Sequence, residues 1–256
     1  MKSIGQFLMC SSVLSLVLLS LPSLAFPTPQ PKEEKVASKI AFIQVKAEQG
    51  EVEAQYLYGL LLMSGRIIEK NTYLGMKWLV AAAEHNHKKA QRFIADLSFD
   101  GKLVARDLKL AEKWYLTQNT QWSHFRLGFI YAAGGDGVER HCGKAIKQFL
   151  MAADELSKSN AVWVMATCPD AKYRNGKRAI ELGQQLYQSN PTSPTVIDNL
   201  AAAYAENGEF KTAIELQTKA IAFSASQRKD NLSSGLKQRL ASYQKHQPVR
   251  EVIALP

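Results

Sequence analysis

Apolar residues recur along the chain in two alternating stripes. Ala54, Leu57, Tyr58, Leu61 and Leu62 stand at i, i+3, i+4, i+7 and i+8, the spacing that gathers side chains on one face of an α-helix. Gly75, Trp78, Leu79, Ala82 and Ala83 repeat that spacing further on. The whole unit then returns after 36 residues: Ala54-Gln55 as Ala90-Gln91, Gly65 as Gly101, Trp78 as Trp114. A third copy is displaced. Leu127-Gly128 and Gly134 answer Tyr58-Gly59 and Gly65, Ala145 answers Gly75 and Ala111, and Phe149 answers Leu79 and Tyr115. Its connecting loop, Gly134-Gly135-Asp136-Gly137, is altered.

Polar punctuation supports two helices per unit. Asn71 and Asp107 stand six residues after the unit's glycine, where a helix needs an N-cap acceptor. Gly65 and Gly101 suit the left-handed residue that closes a helix. The small residues Gly75, Ala111 and Ala145 allow paired helices to approach closely. A helix pair of this size cannot bury its stripe alone, but stacked neighbours can, so the pattern predicts an all-α, right-handed α-solenoid of antiparallel helix pairs. In the second half the period changes: Ala179 to Ala213 is 34 residues. The final helix, from about Asn231 to Lys245, carries Leu232, Leu236, Leu240 and Tyr243 on one side and Lys237, Gln238, Gln244 and Lys245 on the other. Such a one-sided helix is expected to close the open end of the array.

These residues resemble a known family. Ala-Gln-x-x-x-Gly, then Gly, then Asp or Asn, then Ala-x-x-Trp and Ala-Ala is similar to the Sel1-like repeat, over roughly residues 40–156. The 34-residue half, with Leu200, Ala201, Tyr204, Gly208, Ala213 and Ala220, looks like tetratricopeptide repeats. Thr167 to Ala179 is similar to a recurrent opening segment of bacterial tetratricopeptide proteins, and Pro191 falls where that family has its closing proline. The later copy departs from the pattern, with Ala225 in the proline's place. The resemblance implies an exported bacterial interaction scaffold whose concave wall holds a partner protein or peptide.

Export is also read from the N-terminus. Lys2 precedes an uncharged apolar run, Phe7 to Leu21, then Pro22 and Ser23-Leu24-Ala25. That order predicts a signal peptide cleaved after Ala25, and hence a periplasmic or secreted protein. Pro27, Pro29 and Pro31 with Glu33-Glu34 read as an exposed tether. No later stretch is apolar enough to span a membrane. The expected plan is signal peptide 1–25, tether 26–37, Sel1-like repeats 38–158, tetratricopeptide-like repeats 159–225, and a capping helix and tail 226–256. At 46% hydrophobic and 21% charged, the composition excludes disorder for the bulk of the chain. The net charge of +9 favours acidic partners without naming one.

Catalytic and metal chemistry find little support. Ser226, Ser234 and Ser242 each open a Ser-x-x-Lys, but neither Ser-Asp-Asn nor Lys-Thr-Gly accompanies them. Gly134 to Gly137 lacks the lysine of a phosphate loop. His85 and His87 are two apart and His141 adjoins Cys142, both poor spacings for ligands on one helix face. The chain therefore reads as no enzyme, with no cofactor and no metal. Cys142 should open one helix and Cys168 close the next, and antiparallel neighbours bring those ends together. A disulfide and two free thiols both stay open, since the Cα separation must fall in a narrow window. The basic cluster Lys172, Arg174, Lys177 and Arg178 around Tyr173 lacks the interleaved aromatics of a nucleic-acid surface. The aromatics Trp78, Trp114, Tyr115 and Phe149 are at core spacing.

The expected function is protein or peptide binding in a helical groove. With Leu200, Ala201 and Tyr204 turned into their helix pair, Asp198, Asn199, Ala202 and Glu206 are left to face the groove or its rim. Lys172, Tyr173 and Arg174 then stand at its entrance. A glycan or peptidoglycan binder is the alternative. A third reading is an enzyme of the cysteine-rich Sel1-like type that recognises β-lactams, but this chain lacks that group's paired cysteines.

Overall fold

The computed structural model describes residues 32–227 and 230–255. The expected signal peptide and residues 26–31 of the expected tether lie outside them. The described residues form twelve α-helices and no strand. Helix α1 spans Lys32–Glu48, so residues 32–37 are helical where an extended tether is expected. Of the described residues, 32–39 belong to one unit and Ile40 onwards to a second, which holds the repeats.

Five antiparallel pairs follow. They are α2 (Val52–Ser64) with α3 (Thr72–Glu84), α4 (Lys88–Asp100) with α5 (Leu108–Leu116), α6 (Gln121–Ala133) with α7 (Cys142–Ala152), α8 (Glu155–Thr167) with α9 (Gly176–Ser189), and α10 (Pro194–Glu206) with α11 (Phe210–Ser226). Helix α12 (Asp230–Gln244) packs on α11 and buries Leu236 and Tyr243. The array is an all-α solenoid.

The turn inside each of the first four pairs is built the same way. The side chains of Asn71, Asp107, His141 and Asn175 accept from the amides of Leu74, Leu110, Lys144 and Arg178, capping α3, α5, α7 and α9. The backbone amides of these four residues donate back to Leu62, Ser98, Tyr131 and Met165 at 2.8–3.0 Å. The cap thus satisfies an orphan donor of the second helix and a free carbonyl near the end of the first. Gly65 and Gly101 take φ of 63° and 66° just after α2 and α4, the left-handed closure expected of them.

Pairs meet at seams, and there the recurring Ala-Gln dipeptide has its reason. Gln55 donates its side-chain amide to the carbonyl of Ala47 in α1, and Gln91 donates to Ala83 in α3 at 3.0 Å. Gln91 also accepts from Thr117 just beyond α5, so one buried amide links three consecutive helices. At the third seam His124 stands in this place. Its ring bonds Gln148 and Asn119 instead, while Thr120 and Ser123 cap α6 reciprocally.

Close approach within pairs follows from small residues. A Cβ on Gly128 would lie 2.4 Å from the Phe149 ring. The core runs through the stack as Leu79, Ile94, Phe99, Tyr115, Ile130 and Phe149, all nearly inaccessible. Leu57, expected in the first stripe, is instead 39% exposed. The buried face of α2 is Ala54, Gln55, Tyr58, Gly59, Leu62 and Met63.

Candidate functional site

Helix α10 positions most of the expected groove residues, and it is more deeply enclosed than its sequence suggests. Its row of alanines, Ala201, Ala202, Ala203 and Ala205, is buried on every side. α8, α9 and α11 pack around it, and α12 reaches it through Arg239. Asp198, Asn199 and Ala202 therefore do not face a groove, which corrects the expectation. The Asp198 carboxylate takes two bonds of 2.8 Å from the Arg239 guanidinium and one from Gln217. Asn199 donates to the carbonyl and hydroxyl of Ser159, tying α10 to α8. Both are pairing residues of the stack: a buried charge or amide must find such partners or unfold the site around it.

The other expected residues lie near one another but act differently. Lys172 is exposed and pairs with Asp170 at 3.0 Å; this contact holds the Asp170 carboxyl below its ordinary range. The hydroxyl of Tyr173 meets Nε2 of His141 at 3.1 Å. Arg174 binds Glu206 at 2.8 Å and the carbonyls of Cys168 and Pro169. Cys142 and Cys168 form a disulfide, with Cα atoms 6.3 Å apart. It joins the start of α7 to the residue just past α8.

Residues 247–255 complete this region, which sequence reasoning treated as a plain tail. After a turn at His246, whose ring stacks on Phe210, the chain passes the last turns of α10, α8 and α6. Arg250 reaches Glu206 at 2.7 Å, and Glu251 reaches Arg239 at 3.7 Å. The Glu251 amide donates to the Thr167 carbonyl at 3.0 Å, one of the orphan acceptors at the end of α8. Ile253 and Leu255 pack against the main core, and Ile253 lies in a cleft with Ala132, Cys142, Val164 and Cys168. The only signal in the sequence is the short alternation Glu251, Ile253, Leu255.

A second surface lies at the opposite ends of α6 and α8. Gln121, Trp122, Phe125, Asp154 and Leu156 line a cavity of about 350 Å³. Leu156 is 57% exposed. The Trp122 indole donates to Asp96 at 2.7 Å, and Arg126 and Arg92 lie over its ring at 4.3 and 5.6 Å. Gln121 donates to Asp154 across the cavity mouth.

The expected chemical motifs stay separate. Ser226 and Ser242 donate to carbonyls of their own helices, at Phe223 and Gln238. His85 bonds the Ala81 carbonyl, while His87 caps α4 and pairs with Glu53. Among the described residues no group of three His, Cys, Asp or Glu side chains is placed to hold a metal ion. No described helix is long and apolar enough to cross a membrane.

Residues 52–87, 88–117 and 123–155 match the Sel1 repeat family. Among solved structures, the chain is similar to a Sel1 repeat protein from Oxalobacter formigenes, at 18% identity and a TM-score of 0.57 over 76% of this chain and 58% of that one. It is also similar to a protective antigen of uropathogenic Escherichia coli with an SLR fold, at 22% identity and a TM-score of 0.49 over 80% of this chain and 44% of that one. The chain thus spans less than two thirds of either protein. No curated protein sequence matches it significantly.

Proposed function

Because this chain is a Sel1-like repeat protein, we propose that it is an exported scaffold that holds a partner protein on its helical array. Sel1 repeat proteins are in general interaction scaffolds, and their solenoid is typically non-enzymatic. The observation that carries the reading is the apolar cavity of Trp122, Phe125 and Leu156, open at the start of α6 and α8. Burying such a patch is worth about 25 cal/mol per Å² of apolar surface, and a few anchors of this kind can dominate an interface. A sugar ligand is less well served there, because the Arg126 and Arg92 guanidinium groups lie over the indole on which a ring would stack. Export is supported by the charged, apolar and small-residue order of residues 2–25.

Cross-linked affinity capture from envelope extract tests the scaffold reading. A partner should be captured by the natural chain and lost with Leu156→Asp, while Tyr73→Asp, at another exposed hydrophobic position, captures it normally. Equal capture by all three chains would refute the assignment of this surface. Intact-mass analysis of exported protein should show a chain beginning at Phe26; full-length protein confined to the cytosol would refute export.

A further inference from the structure

Resting on the scaffold reading, we propose a peptide-docking groove beneath residues 249–255, with those residues as its resident and displaceable occupant. The partner that replaces them is an extended protein segment with the order basic, acidic, apolar, apolar, any residue, apolar, as in Arg250, Glu251, Val252, Ile253 and Leu255. The contacts are those by which extended peptides are recognised: a main-chain hydrogen bond for affinity and side chains seated in clefts for selection. Val252 and Ile253 line the cleft beside Cys142 and Cys168, Leu255 packs against the main core, and Ala254 is exposed.

The receptor groups are held ready without the segment. Glu206 is held by Arg174 at 2.8 Å, and Arg239 by Asp198 at 2.8 Å as well as lying over the Trp163 ring. When residues 250 and 251 leave, each of these charges keeps a partner inside the array, so departure strands no buried ion. The leaving charges are themselves 34% and 48% exposed and return easily to water. A strap whose removal orphaned buried charges would be an integral part of the core; this one is not wired in that way. Glu206 and Arg239 present one negative and one positive site in fixed order, which sets the direction in which a segment lies and rejects one with the charges reversed.

The test uses the full chain carrying Ile253→Asp and Leu255→Asp, with a fluorescent peptide of residues 247–255 as probe and anisotropy as readout. A tethered occupant competes at an effective concentration in the millimolar range, so the natural chain should bind the probe about tenfold or more weakly than the variant. A probe with Arg250→Glu and Glu251→Lys should lose binding to the variant by at least about tenfold. Equal binding of both probes, or none by a variant that melts as the natural chain does, would overturn the proposal. Loss of the variant's cooperative melt would also overturn it, since the segment would then be structural. Amide exchange in the natural chain is an independent check: the Glu251 amide should exchange far faster than the core of α8, and equal protection would count against displacement. A captured partner that binds the natural chain and the variant alike would leave the scaffold reading standing and defeat this one. Probe binding without any captured partner would do the reverse.

Discussion

Opening the Cys142–Cys168 disulfide is the sharpest perturbation of this array. The bond closes a loop across 26 residues that contains nearly all of α7 and all of α8. In the chain-entropy account, a closed loop of about this length restricts the unfolded chain by about 12 cal/mol/K, or about 3.5 kcal/mol at room temperature. Both half-cystines are buried, so thiols left in place after reduction still fill their sites, and most of the change should be the cross-link itself. With a urea dependence of about 2 kcal/mol per molar, the unfolding midpoint should fall by about 1.7 M. Far-UV circular dichroism in urea, with and without a phosphine reductant, measures it, and the Cys142→Ala, Cys168→Ala double variant serves as control. Stability in a solenoid is nearly a sum of neighbour terms, so the fall should be concentrated in the units from α6 to α10, seen as a separating transition. A reduced chain with an unchanged midpoint and a single transition would refute the reasoning, because no restriction would have been lifted.

Three further outcomes are expected. Trp114→Ala removes an indole that is 4% exposed within the main core and should cost about 3–5 kcal/mol, measured by chemical denaturation. Asp198→Ala removes both short bonds to the largely buried Arg239 guanidinium, leaving it only the exposed Glu251 at 3.7 Å as an ion partner, and should cost about 3–5 kcal/mol; a variant that melts normally would show that the pair is not needed for the stack. Alkaline pH should unfold the array. Tyr115, Tyr131 and Tyr243 have hydroxyls pushed well above their ordinary pKa, chiefly by burial and then by Asp96, Glu112 and Asp198 respectively. The folded chain therefore keeps protons that the unfolded chain releases above about pH 10. Their stabilisation is complete below that pH and falls by about 1.4 kcal/mol per pH unit and tyrosine above it; thermal melts across pH 8–11 would show a flat profile if the hydroxyls were solvated.

The fold was legible because the stack is periodic and its punctuation is chemical. Gly65 and Gly101 closed helices, and Asn71 and Asp107 capped them, from their spacing alone. His141 was harder to read. It fills the cap position of the third unit with a ring nitrogen, and in the sequence it looked like half of a weak metal pair beside Cys142. Rotation about α10 was not legible at all. A helix made of Leu200 and a run of alanines has no polar face to orient it, so Asp198 and Asn199 looked solvated when they are the buried polar contacts of their helix. Residues 247–255 escaped for another reason: their partners lie far away in sequence, on Thr167, Glu206 and Arg239, and no local pattern encodes pairings of that range.

The seam amides have a mechanical consequence. A chain of helix pairs pulled from its ends carries the load through its joints in series, so the joint with the least cross-bracing stretches first. Gln55 and Gln91 brace the first two joints with buried amide bonds, to Ala47 at 3.4 Å and to Ala83 at 3.0 Å. At the third, between α5 and α6, His124 spends its ring on Gln148 and Asn119, and longer side chains take over the bracing: Trp122 donates to Asp96, Tyr131 donates to Glu112, and Arg126 pairs with Asp100. Elastic extension should therefore gather at the first joint, between α1 and α2. The units from α4 to α7 would ride as one stiff block, so that a tug on the array would leave the angle at which the Trp122 cavity is presented unchanged.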